Sequence, residues 1–156
     1  KSFSLNKKKI DIHDIRSLIN FSGDHKSEDL INECLSGNIM NYKKALSELY
    51  MNTINHIYYF RILGNKTQKL INMKEKCSSS DKNLDHILDN SKPPIFWKEK
   101  PIVKKQLTIW NLRDLKKITK EINNNELLCK KNPSISKAIF FNFFTKICKK
   151  ASRHSL

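Results

Sequence analysis

The residues best suited to chemistry in this chain are aromatics interleaved with cations. Between positions 96 and 113, Phe96, Trp97 and Trp110 share a run with Lys98, Lys100, Lys104, Lys105 and Arg113. That mixture could grip nucleic acid: the cations would contact phosphates and Trp97 would stack on a base. The same residue types could instead build a core, with the rings at a helix entry and along its inward face and the lysines in water around them. We expect the second arrangement. Trp97 and Trp110 are then buried, Phe96 packs like a staple on the entering end of a helix, and Pro94, Phe96, Trp97, Pro101 and Trp110 form a structural joint. DNA contact by the five cations stays open as the alternative.

A second run, "SISKAIFFNFFTKICKKAS" at 134–152, places Phe140, Phe141, Phe143 and Phe144 around most of a helix. A helix that is apolar on nearly all sides must be covered on nearly all sides. A terminal helix in a small bundle seldom finds that much cover. Part of this aromatic face is therefore expected to meet another subunit.

Other chemistry is hard to assemble. The three glycines, Gly23, Gly37 and Gly64, lie far apart, so no phosphate-cradling G-x-x-x-x-G-K-[ST] or G-x-G-x-x-G loop exists. The five histidines are dispersed and no H-E-x-x-H occurs. His86, beside Asp85 and near Asp89, reads as a surface residue. Glu28, Asp29 and Glu33 read as charges on the exposed face of a helix near its N-terminus. Cys34, Cys77, Cys129 and Cys148 form no C-x-x-C pair; all four read as buried or inert thiols, in keeping with a reduced, cytoplasmic setting. No catalytic, cofactor-binding or metal-binding residue is expected, nor a small-molecule substrate.

The net charge is +15 over 156 residues. Such an excess suits an acidic partner, although an A/T-rich genome, by favouring Lys, Asn and Ile codons, would produce it too. No apolar run nears the ~20 residues of a membrane span, and no membrane partner is expected. The chain opens on Lys1, most simply because it was cut from a longer protein.

The elements that must position these residues read as helices throughout. Few glycines and 4 prolines leave little material for hairpin turns. Capping residues and 3–4 apolar spacing predict helices near 12–20, 27–36, 39–52, 53–74 and 82–89, then from 98 or 101 to 110, 112–130 and 135–151. Gly37 suits a helix C-terminal turn. Gly64 marks a place for a bend. The stretch "SGDHK" at 22–26 reads as a break, and "CSSSDKN" at 77–83 as a loop. Leu112, Leu115, Ile118, Ile122 and Leu127 mark the apolar stripe of the helix at 112–130. The expected fold is an all-α helical bundle with antiparallel neighbours.

In order and spacing, these segments resemble the C-terminal part of the delta-subunit family of the bacterial DNA polymerase III clamp loader. "IDIHDIRSLI" is similar to the last helix of the family's lid domain. "EDLINECLSGNIMNYKKALSELY" resembles its L-x-D-A-x-x-x-G-D-x-x-x-A-L-x-x-L stretch, with Gly37-Asn38 where the family has Gly-Asp. "INHIYYFRILGNKTQKL" takes the place of its arginine- and leucine-rich helix, with fewer arginines. "PPIFWKEKPIVKKQLTIW" is similar to its Pro-Phe-Phe-Lys…Lys-Pro…Gln…Trp segment. "NELLCKKNPSISKAIFFNFFTKI" resembles its closing Leu-x-Lys element and final helix, with Glu126 near the usual Asp. The resemblance implies that residues 1–22 end a lid domain and that 23–156 form a helical collar that assembles with other clamp-loader subunits. The sliding clamp would be met by an N-terminal domain outside this sequence. It further implies a non-catalytic subunit of a DNA-polymerase holoenzyme, active in DNA replication.

Overall fold

Apolar side chains at helical spacing account for the architecture. The structure, a computed structural model, describes residues 21–50, 55–79, 84–92 and 94–154. Among them are seven α-helices and no strand: α1 (Phe21–Leu35), α2 (Ile39–Tyr50), α3 (His56–Ser79), α4 (Leu84–Asp89), α5 (Lys100–Ile109), α6 (Leu112–Lys131) and α7 (Ser136–His154). A 3₁₀ turn, Pro133–Ile135, joins α6 to α7. The expected helix at 12–20 and most of the lid segment 1–22 lie outside the described residues.

Helices α3, α6 and α7 form the centre. Helix α3 runs antiparallel to α6: His56 lies near Cys129, Gly64 faces Ile122, and Glu75 reaches Lys116. Helix α6 runs antiparallel to α7, since Cys129 reaches Ser136 while Asp114 reaches Lys150. Helices α1 and α2 close over α7. The Cys34 thiol donates to the Phe144 carbonyl, and the Tyr42 and Thr145 hydroxyls lie 3.2 Å apart. One continuous core results, with Leu30, Ile31, Phe60, Leu63, Leu107, Leu115, Ile122, Phe140 and Phe144 fully enclosed.

Several boundaries differ from expectation. Residues 22–26 are helical, so α1 runs across the expected break. One glycine costs a helix only about 1 kcal/mol, too little to end it, and Ser27 is buried rather than placed as a cap. Helix α3 continues through Gly64 and on through Cys77 to Ser79, into the expected loop.

Candidate functional site

The structural joint begins with a pair of residues four apart. Gln106 and Trp110 lie on one face of the α5 segment because residues at i and i+4 sit one above the other. Pro101 occupies the first turn of α5, where its missing N–H costs nothing. The partner surface is the C-terminal end of α1, where the Asn32 carbonyl already accepts from the Ser36 amide at 2.9 Å and the Leu35 carbonyl is among the last four of the helix. Gln106 Nε2 donates to the Asn32 carbonyl at 3.3 Å and to Ser36 Oγ at 3.4 Å. Trp110 Nε1 donates to the Leu35 carbonyl at 2.8 Å. Trp110 is completely enclosed, with the His154 ring stacked 6.0 Å away and Lys150 Nζ 5.8 Å from its centroid. The expected burial of Trp110 is met.

The other end of the joint is arranged differently. Phe96 is 57% exposed and Trp97 67% exposed. The expected staple and the expected burial of Trp97 are thereby corrected. The cause is a turn: the Glu99 amide donates to the Phe96 carbonyl at 2.8 Å, and only Ile95 enters the core. The two rings lean on each other, centroids 5.8 Å apart, and Lys98 Nζ sits 5.3 Å from the Trp97 ring. Pro94 and Pro101 are also exposed.

The cations of this region divide. Lys100 pairs with Asp89 and Lys104 with Asp85, at 2.5 and 2.6 Å, so α4 holds α5 by two exposed ion pairs. Such pairs contribute little to stability. Lys105 and Arg113 are exposed and meet no carboxylate among the described residues.

The aromatic helix is more internal than expected. Phe140, Phe143 and Phe144 are buried within the chain, so these three rings do not form an open subunit surface. Phe60 lies edge-on to Phe140 and Phe144, with centroids 6.2 and 5.4 Å away, and packs on Phe143 at 5.6 Å. The cover that composition could not supply comes from α1, α2, α3 and α6 on different sides of α7. Phe141 is partly buried, edge-on to Phe140 at 5.4 Å.

An uncovered apolar surface lies instead at the corner joining α6 to α7, where Leu127, Leu128 and Ile135 are each about half exposed (50, 46 and 53%). Leu127 belongs to the expected inward stripe but lies off it. From Leu115, Ile118 and Ile122 the helical spacing leads to Cys129, which is buried. Counting that spacing two turns further would have placed Leu127 and Leu128 outside. Glu126 borders this corner and accepts from Lys130 at 2.7 Å and from Arg61 at 3.4 Å. These bonds hold its carboxyl below the usual range.

The buried polar groups are tuned by burial. It pushes the Cys34 thiol well up and Cys148 to about 11, so neither is a ready nucleophile at neutral pH. Lys66 donates to Asn32 Oδ1 at 2.6 Å, and its own burial lowers its pKa. His56 shares a 3.2 Å contact with Ser136 Oγ, and burial, then Lys137, lowers its pKa. Among the described residues no three His, Cys, Asp or Glu side chains converge as metal ligands. No helix there is long and apolar enough to cross a membrane. Comparison with protein-family models, with curated proteins and with solved structures finds no significant match.

Proposed function

We propose that this chain is the collar region of a clamp-loader delta subunit: a non-catalytic module that assembles with other loader subunits, in the machine that places a sliding clamp on DNA during replication. The observation that carries this reading is the apolar corner of Leu127, Leu128 and Ile135, bordered by the Glu126 ion pairs. Exposed apolar side chains close in sequence and rimmed by ion pairs suit a protein-binding surface. The ordered segments of the resemblance support it, since the Gly37 turn and the Gln106–Trp110 pair meet at one internal joint. The test mixes the chain with the other loader subunits and follows co-elution. Leu128→Asp combined with Ile135→Asp should abolish co-elution while leaving the thermal melt unchanged. Normal assembly by the folded double variant removes this reading.

A second reading, direct binding to nucleic acid through the 96–98 turn, is favoured by one observation. Trp97 is exposed beside Lys98, an arrangement suited to stacking on an unpaired base while the ammonium meets a phosphate. Trp97→Ala should then weaken binding to a single-stranded or primed oligonucleotide without moving the melting temperature. Unchanged binding excludes it.

A further inference from the structure

Helix α6 carries a row of cations of which only Arg113 is among the expected DNA contacts. Arg113, Lys116, Lys117 and Lys120 recur at i, i+3, i+4 and i+7, which places them on one face. With Leu112 they line a single open groove. Two of the three acids of the same helix are engaged by α7. Asp114 accepts from Lys150 at 2.6 Å and Glu121 from Lys146 at 2.9 Å, both on α7. Lys116 is paired with Glu75 of α3 at 2.8 Å. Among the described residues Arg113, Lys117 and Lys120 meet no carboxylate. The bundle therefore sorts charge: α7 engages Asp114 and Glu121, Arg61 of α3 and Lys130 engage Glu126, and the face of Arg113, Lys117 and Lys120 stays positive. Genome-wide enrichment in lysine would raise the number of cations without sorting them in this way.

We propose that this face of α6 binds the phosphate backbone of duplex nucleic acid without reading its sequence. Seven residues of helix set Arg113 and Lys120 roughly 10 Å apart, a rigid row beside a duplex that carries one charge per ~1.7 Å of axis. None of the large exposed rings, Tyr58, Phe96 and Trp97, belongs to α6, so the face holds phosphates but offers no platform for stacking unpaired bases. That feature selects the duplex over the single strand. The site is independent of the apolar corner and of the 96–98 turn.

The experiment measures binding of fluorescent duplexes of two unrelated sequences to the full chain across a salt series. The wild type should bind both duplexes alike, more tightly than a single strand of equal length. Combined R113Q, K117Q and K120Q should weaken duplex binding on the order of tenfold and lower the salt slope by about 3, because each phosphate neutralised by a cation adds roughly 0.9 to that slope. A control with K26Q, K43Q and K44Q removes as many charges from exposed positions on α1 and α2 and should leave the slope within about 1 of wild type. Trp97→Ala should bind the duplex as wild type does. Equal weakening in the two triple variants, an unchanged slope in the α6 variant, or tighter binding to the single strand would each overturn the proposal. Thermal melts of both triple variants should match wild type, because every substituted side chain lies at the surface.

Discussion

At the scale of single residues, two tryptophans close in sequence have opposite environments. Trp110 donates its indole N–H to the Leu35 carbonyl inside the core, whereas Trp97 lies mostly in solvent. Trp110→Ala should cost about 3–5 kcal/mol in denaturant unfolding, and Trp97→Ala less than about 0.5 kcal/mol. In Trp110→Phe and Trp97→Phe variants, acrylamide should quench only the remaining Trp97. His56 supplies a pH-dependent contribution. Its folded pKa is lowered, first by burial and then by Lys137, relative to an ordinary value of 6.5. Below that value the unfolded chain binds the proton more readily than the folded one, so stability falls as the pH drops through 6.5 and on toward the folded pKa. His56→Gln should flatten this part of the curve of melting temperature against pH between 5 and 7. A wild-type slope retained in the variant would assign the effect to other groups.

At the scale of elements, the turn between α1 and α2 shows how local rules and tertiary contact coincide. Gly37 has φ +68°. Its amide donates to the Cys34 carbonyl and the Asn38 amide to the Glu33 carbonyl, the paired bonds of a Schellman stop. The next helix starts at once, with Asn38 Oδ1 accepting from the Asn41 amide at 3.4 Å. A β-carbon on Gly37 would come within 2.6 Å of the Ala151 carbonyl carbon and 2.7 Å of Ser152 Cα. Strain and clash therefore add, and Gly37→Ala should destabilise by at least about 2 kcal/mol. Gly64 is the contrasting case. It lies inside α3, and a β-carbon there would meet Ile122 Cγ2 at an ordinary 3.7 Å. Gly64→Ala should stabilise by up to about 1 kcal/mol through helix propensity. Urea unfolding of the two variants reads both signs.

At the scale of the whole molecule, the core is continuous from α1 to α7. Phe60 of α3 and Phe140 and Phe144 of α7 sit where several helices meet. Unfolding should therefore be a single transition, with helical circular dichroism and Trp110 fluorescence changing together. Two separated transitions would mean that α1 and α2 form a unit apart from the central helices. The excess of positive charge remains on the outside of this core, where α4 engages two lysines of α5 and α7 engages two acids of α6. Among the described residues, the uncovered surfaces include the 96–98 turn, the corner after α6, the cationic face of α6 and the side chain of Met40 on α2.

Composition and spacing alone determined the helical class, most helix positions, the Gly37 stop, the Asn111 cap, which accepts from the Asp114 amide at 2.7 Å, and four of the five residues of the α5 segment expected inward, Val103, Gln106, Leu107 and Trp110, the fifth, Ile102, being only half-buried. These follow from short-range geometry: a cap reaches three residues, and a helical face repeats every three or four. Tertiary structure decided what one helix cannot know about its neighbours. It covered Phe140, Phe143 and Phe144 from several sides, and turned Phe96 and Trp97 outward while Ile95 went in. It also paired Lys100 and Lys104 with the acids of α4, while Lys105 and Arg113 meet no carboxylate among the described residues. Whether an aromatic ring is core or surface depends on groups distant in sequence that arrive to remove its water, and periodicity along one segment carries no record of them.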